Sequence, residues 1–264
     1  MNGLVSGRPP ICYSEPRMAS NAGEILLGKN ALITGGSRGI GRAIASAYAQ
    51  AGARLFICGR NGAAVEGAIQ DIRARGGAID GIAADVSRAP DVQRVVGTAL
   101  ERFGSIDVLV NNASILGPRQ AIVDYPVESW EDVIRVNLTG VFLMIREVLP
   151  AMLARRSGSI INVTSGVGRS GKARWGAYAA SKAGLENLTQ VLAEELQATG
   201  VRVNAVNPAA TRTGMRAAAY PDEDPATLPT PEEIAPIFVY LAADAARQVT
   251  GQSLNAREWM GKIV

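Results

Sequence analysis

The sequence predicts an α/β fold, a doubly wound parallel sheet of about seven strands with helices on both faces. Three observations carry that expectation. From about residue 28 to the end of the 264-residue chain, short apolar runs alternate with helical apolar periodicity, the pattern of successive βαβ units. No linker or short-period repeat interrupts the alternation, so one unit over residues 25–264 fits better than two domains. The first apolar run leads directly into a glycine-rich turn and then a helical pattern, a layout that places anion-binding N–H groups beyond the carboxyl end of a strand.

Taken in order, residues 30–34 (NALIT) read as a buried strand. Residues 39–52 put Ile40, Ala43, Ile44 and Ala47 on one helix face. A second strand is expected at 54–58 (RLFIC), then a helix at 63–75 that Gly76-Gly77 ends. A third strand covers 78–84, and a helix at 90–103 is capped by Gly104. The fourth strand is 106–111 (IDVLVN). Residues 128–155 form a long helical stretch that Pro150 is expected to kink or break. A fifth strand lies at 159–164 (SIINVT), and the helix at 176–199 stops at Gly200. The sixth strand is 201–206 (VRVNAV), followed by a helix at 231–245 and a short seventh strand at 253–255. In this layout the segments 34–41, 59–60, 111–114 and 164–165 face one crevice.

Composition narrows the chemistry. With 47% hydrophobic and 19% charged residues, wholesale disorder is excluded. The net charge of +3 comes without a Lys/Arg run, which argues against nucleic acid as a partner. There is no histidine, so Ser-His-Asp and Cys-His catalysis and His–metal sites are excluded. The only cysteines, Cys12 and Cys58, cannot complete a zinc site, and no metal is expected. No run approaches the roughly 20 uninterrupted apolar residues of a spanning helix, and the N-terminus lacks a signal-peptide block. A cytoplasmic location without membrane contact is the expectation. Residues 1–24, rich in Gly, Pro, Ser and Asn, read as a flexible extension, with Met18 a second candidate start.

The turn Thr34-Gly35-Gly36-Ser37-Arg38-Gly39-Ile40-Gly41 lets the backbone approach a ligand closely. No Gly-Lys-Ser/Thr follows, so a P-loop is not expected. A dinucleotide site that takes NAD places a carboxylate about 20 residues beyond the glycines. Here the second strand ends Cys58-Gly59-Arg60, and Arg38 lies inside the turn. Two guanidiniums suit a 2′-phosphate, which favours NADP(H) over NAD(H). The alternative is a pair of solvated surface arginines.

At this point a resemblance becomes visible. TGGSRGIG (34–41), Asp85-Val86, NNAS (111–114), Asn137, Ser165, Tyr178-Ala-Ala-Ser-Lys182 and Asn207-Pro208 occur in the order found in the short-chain dehydrogenase/reductase family. The chain resembles the compact single-domain form of that family, including 3-oxoacyl-carrier-protein-reductase-like members. The resemblance spans about residues 26–252. It implies a seven-stranded Rossmann sheet, a nicotinamide cofactor and hydride transfer between a carbonyl and an alcohol.

Carbonyl reduction needs a proton for the oxygen, and without histidine Tyr178 is the candidate acid. Lys182, one helical turn on, shares its face. Lowering a phenol from pKa ~10 to ~7 requires roughly 4 kcal/mol. A unit charge at about 4 Å supplies roughly that at an effective dielectric of 20. Lysine can also release a proton, which arginine cannot. By resemblance, the Ser165 hydroxyl polarises the substrate carbonyl, Lys182 bonds the nicotinamide ribose, and Asn137 holds a water linking Lys182 to solvent. Asn137 also falls within a helical stretch where asparagine fits poorly and could disturb the backbone ladder. The same resemblance assigns Asp85 to the adenine amino group, with a turn cap as its alternative, and lays Val86 against the ring. It gives Asn111 a steadying role at the strand ends. The expected cofactor contacts are Gly35, Ser37, Arg38, Gly39, Ile40, Gly41, Arg60, Asp85, Val86, Asn112, Ala113, Tyr178, Lys182, Pro208, Thr211 and Thr213.

The chain departs from the family pattern in four places. Ser114 stands where NNAG has glycine, and Ala209 follows Pro208 where glycine is usual. Alanine tolerates positive φ poorly, so the backbone path there is expected to differ slightly. The segment 214–230, with Pro221, Pro225 and Pro229, is a short candidate lid over an open pocket. The C-terminal SLNAREWMGKIV lacks the usual Gly-Gly tail. Before Tyr178, Arg169, Lys172 and Arg174 with Trp175 could steer an anionic or carrier-linked substrate or could form a solvated loop. Helices 128–155 and 176–199 carry more apolar surface than the sheet needs, and the resemblance implies that they pair across subunits, as a homotetramer or homodimer. The expected function is NADP(H)-dependent interconversion of a carbonyl and a secondary alcohol. The alternative is a non-catalytic NADP-binding sensor or scaffold.

Overall fold

The computed structural model describes residues 24–261. The expected flexible extension, Cys12 and Met18 lie outside the described residues, apart from Glu24. Seven parallel strands form one sheet in the order β3-β2-β1-β4-β5-β6-β7. They are β1 (Asn30–Thr34), β2 (Arg54–Gly59), β3 (Ile79–Ala83), β4 (Val108–Asn111), β5 (Gly158–Val163), β6 (Val201–Asn207) and β7 (Ser253–Asn255). The helices are α1 (Gly39–Gln50), α2 (Gly62–Arg73), α3 (Ala89–Phe103), α4 (Val127–Ile134), α5 (Gly140–Arg155), α6 (Gly176–Glu195), α7 (Gly214–Ala219) and α8 (Pro236–Ala242).

The strands read as unbroken apolar runs because both faces are covered. Alternate residues divide between two cores. Ile33, Ile57, Val110 and Ile161 pack with Ile44 and Tyr48 of α1, Ile69 of α2 and Phe238 of α8. Leu32, Phe56, Leu109 and Ile160 pack with Val95 of α3, Met144 and Val148 of α5 and Leu185 of α6. A third, smaller cluster lies at the strand ends and contains Val133, Trp175, Tyr178 and Ala219. The strand order reverses between β1 and β4, so the loops that follow them diverge and open the expected crevice.

Two helical expectations need correction. Pro150 does not break its helix, because α5 runs through it to Arg155. Pro150 is exposed, so the carbonyl left without its N–H partner can turn to water. The irregularity lies earlier, where Arg135–Thr139 forms a π-turn between α4 and α5, at the asparagine the sequence marked as a poor fit. The last helix is also shorter than expected, since 231–235 form turns before Pro236 opens α8. The continuous run Val127–Arg155 is long and apolar enough, by length and composition, to cross a membrane. Its apolarity serves the second core on one side and leaves Phe142 and Leu153 exposed on the other.

Candidate active site

The glycine turn after β1 is shaped by close approach on one side and open space on the other. Gly35 adopts φ 65°, and a Cβ there would lie 2.9 Å from Asn112 Nδ2 and 3.0 Å from Ala113 Cα. Gly39 adopts φ 54°, and a Cβ there would meet only Thr213 Cγ2, at 3.7 Å. Helix α1 therefore begins on an open side, with no side-chain cap and no acidic residue in its first turn. Its first N–H groups are left for a ligand, as an anion site at a helix N-terminus requires. A side chain at Gly41 would run into the Gly35 carbonyl, so that glycine serves packing. Ile40 packs against the first core.

Asn112 ties this turn to the loop after β4. Its Nδ2 donates to the Thr34 carbonyl at 2.9 Å and the Gly35 carbonyl at 3.1 Å. The Thr34 hydroxyl oxygen accepts the N–H groups of Asn112 and Ala113, both at 3.0 Å. The Asn112 amide thus holds protein backbone. Ser37 adjoins the end of β2, with its Oγ 3.1 Å from where a Gly59 Cβ would stand. Arg38 and Arg60 are both exposed, and among the described residues neither takes part in an ion pair. No carboxylate follows β2, so the residues present suit the extra phosphate of NADP(H).

Tyr178 and Lys182 lie on the inward face of α6, and both are buried. The phenol faces the hydroxyls of Ser165, just beyond β5, and Ser114, just beyond β4. Burial pushes its pKa up to about 12, against the two hydroxyls, which favour the ionised form. The Lys182 Nζ donates to the Val163 carbonyl at 2.9 Å and stands 5.6 Å from the Tyr178 ring centroid, over the ring. Burial lowers the lysine itself to about 8. The ammonium thus sits against the ring face and a carbonyl.

Asn137 is fully buried in the π-turn and grips the backbone of Ile115 at both ends. Its Oδ1 accepts the Ile115 N–H and its Nδ2 donates to the Ile115 carbonyl, each at 2.9 Å. Nδ2 also reaches Ser181 Oγ at 3.2 Å, and that hydroxyl donates to the Tyr178 carbonyl at 2.8 Å. One side chain thereby fixes the loop carrying Ser114 relative to the helix carrying Tyr178. Asn111 Nδ2 donates to Asn162 Oδ1 at 2.9 Å, joining the ends of β4 and β5.

The remaining predicted contacts divide. Asp85 Oδ1 accepts the Ser87 N–H at 2.9 Å and hydroxyl at 2.7 Å, which is the turn-cap alternative. Val86 is buried in the second core. Pro208 is buried, and its carbonyl accepts the Thr211 hydroxyl at 3.0 Å. The Thr213 hydroxyl caps α7 by accepting the Arg216 N–H at 3.1 Å. Ala209, which stands where glycine is usual, takes up a glycine-like backbone conformation. It occupies φ 59° in the glycine-favoured region, and its N–H donates to Asn207 Oδ1 at 2.9 Å.

The cations before Tyr178, for which both steering and a solvated loop were open, take different partners. Arg169 pairs with Glu186 at 3.1 Å and reaches Asn255 and Ser253, tying α6 to β7. Only Lys172 joins the wall of the third cluster, its Nζ donating to Tyr220 Oη at 3.0 Å. Arg119, Arg216 and Tyr220 complete that wall and were not visible from sequence. Arg119 follows Gly117-Pro118 in a loop without a recognisable motif, Arg216 lies in α7 and Tyr220 directly follows that helix.

Comparison with known proteins places these observations. Residues 29–224 match the family model described as short chain dehydrogenase. The chain is 38% identical over 244 residues to 3-oxoacyl-[acyl-carrier-protein] reductase FabG of Staphylococcus epidermidis, covering 89% of this chain and 99% of that protein. It is 36% identical over 232 residues to the uncharacterized oxidoreductase YciK of Escherichia coli K12, covering 86% and 90% of the two chains. Among solved structures, a short chain dehydrogenase of Shigella flexneri complexed with NADP superposes with TM-score 0.86 at 35% identity, covering 89% of this chain and 99% of that one.

Proposed function

The chain belongs to the short chain dehydrogenase family and is an oxidoreductase, and on that premise we propose that it interconverts a carbonyl and a secondary alcohol, preferring NADP(H) over NAD(H), with Tyr178 as general acid and base. The observation that carries this reading is the buried Tyr178 phenol, facing Ser165 and Ser114 with the Lys182 ammonium over its ring. When bound, NADP(H) would supply the hydride. Arg38 and Arg60 would hold its 2′-phosphate, and the uncapped start of α1 its pyrophosphate. Supporting this cofactor, the Shigella flexneri relative was crystallised with NADP.

At a pKa of about 12 the phenol is protonated at neutral pH and ready to donate. It remains a stronger acid than an alcohol, whose O–H resembles that of water at about 15.7, so proton delivery to a developing alkoxide runs downhill. Ser165, beside it, polarises the carbonyl oxygen. Lys182, at about 8, can hand on a proton near neutral pH. Asn137 keeps the loop carrying Ser114 in register with α6.

NADPH consumption on a panel of ketones, quinones and 3-oxoacyl thioesters, with wild type and Tyr178→Phe, tests the reading. Loss of the acid is expected to lower kcat by about 10²–10⁴ with NADPH binding retained. Equal rates would reject Tyr178. Arg60→Asp is expected to shift preference towards NADH, and retained NADPH preference would contradict the role of that arginine. The unit over residues 25–264 would carry both sites. An apolar groove lined by Leu138, Phe142, Leu188 and Val191 supports assembly as a homodimer or homotetramer. Light scattering on Phe142→Asp is expected to show a smaller species.

A further inference from the structure

Beside Tyr178, the third cluster builds a wall of cations and rings. The Arg119 guanidinium lies 5.0 Å from the Trp175 ring centroid and 4.6 Å from that of Tyr220. The Trp175 ring in turn meets the Tyr178 ring edge-on at 5.5 Å, so one indole separates the guanidinium from the proposed acid. Arg216 lies over the other part of this wall, 3.9 Å from the Tyr220 centroid, with Lys172 at 5.3 Å. Of the three cations only Arg216 has a carboxylate partner among the described residues, Glu223 at 2.6 Å. The unbalanced charge is felt locally. The Lys172 hydrogen bond pulls the Tyr220 phenol below its ordinary range, and Arg119 and Arg216 add to the pull.

The donors here are also unsatisfied. Arg119 donates from Nη1 to the Ala219 carbonyl, but its buried Nε has no partner. Trp175 is 8% exposed, and its Nε1 is buried without an acceptor. The buried hydroxyl of Tyr125, packed in the same cluster, also lacks a partner. Buried donors without acceptors are costly, and a native site that concentrates them implies a ligand that supplies acceptors.

We infer that this wall is a subsite for a carboxylate, so that the carbonyl substrate carries an acid group close to its reacting carbon. The inference rests on the carbonyl-reductase reading above and names its substrate class. Arginine pairs with a carboxylate through two parallel N–H bonds, and stacking between two rings fixes its plane. A carrier-linked thioester fits less well, because its phosphate sits at the far end of a long pantetheine arm. Here the charge is one indole away from the acid.

The test compares 4-oxopentanoate and 5-oxohexanoate with their methyl esters in NADPH-coupled assays. Wild type is expected to favour the acids in kcat/KM by about tenfold or more. Arg119→Gln is expected to bring the acid-to-ester ratio to about one, and Glu223→Gln, which frees the charge of Arg216, to raise it. A wild-type ratio of one or below, or a ratio unchanged in Arg119→Gln, overturns the inference and leaves the carbonyl-reductase reading intact. If Arg119→Gln does not fold, Glu223→Gln decides, and an unchanged ratio there overturns it. If neither acids nor esters turn over, these ketones are not substrates, and the reductase reading is decided by the wider panel of ketones, quinones and thioesters. The subsite is then judged by binding. A melting-temperature rise with 5-oxohexanoate in wild type that Arg119→Gln lacks supports it, and no rise in wild type overturns it.

Discussion

Replacing Lys182 with methionine is expected to stabilise the protein while abolishing its activity. The ammonium is fully buried, and burial lowers its pKa from the ordinary 10.5 to about 8. Below pH 8 the folded state carries that charge at a cost of about 3 kcal/mol relative to the unfolded chain. Between pH 8 and 10.5 the unfolded chain binds the additional proton, so wild-type stability rises with pH across that window. Methionine has similar length and no charge to desolvate. It also loses the hydrogen bond from Nζ to the Val163 carbonyl, worth about 1 kcal/mol. The net gain at pH 7 is about 2 kcal/mol, or about 4–8 °C in Tm for a chain of this size. Urea denaturation of both proteins, free of cofactor and at one fixed concentration, measures it. The advantage should shrink from pH 8 upward and vanish or reverse by pH 10.5. A variant less stable than wild type at pH 7, or a difference that ignores pH, would refute the reasoning.

Two further outcomes follow from single side chains. Asn137→Ala removes both hydrogen bonds to Ile115 and leaves a half-buried N–H and carbonyl unpaired, so stability should fall by about 1–3 kcal/mol. Hydrogen exchange at the Ile115 amide should accelerate and kcat should drop, and an unchanged exchange rate would contradict the clamp. Ala209→Gly relieves a left-handed alanine and should raise stability by about 1 kcal/mol in urea titrations, whereas a loss would show that φ 59° carries no strain.

Much of the fold was legible because parallel strands covered on both faces must be apolar along their length, and glycines must punctuate the ends. The runs at residues 30–34 and 253–255 match their strands to the residue. Tyr178 and Lys182 were legible because one helical turn separates them in sequence as in space. The long stretch 128–155 was only partly legible. An exposed proline is tolerated where water can take up the freed carbonyl, while Asn137 opens a π-turn by bonding a loop more than 20 positions upstream.

By itself the sequence determined the α/β alternation, the glycine turn, the missing carboxylate at the end of the second strand and the shared helix face of Tyr178 and Lys182, all consequences of local spacing and residue type. Only the tertiary structure decided the electrostatics. Which atoms the Lys182 ammonium faces, here the Val163 carbonyl and the Tyr178 ring, follows from how α6 packs on β5 and not from the spacing of the two residues alone. Arg169 pairs with Glu186 and Arg119 stacks between two rings distant in sequence, because charge partners are chosen by proximity in space.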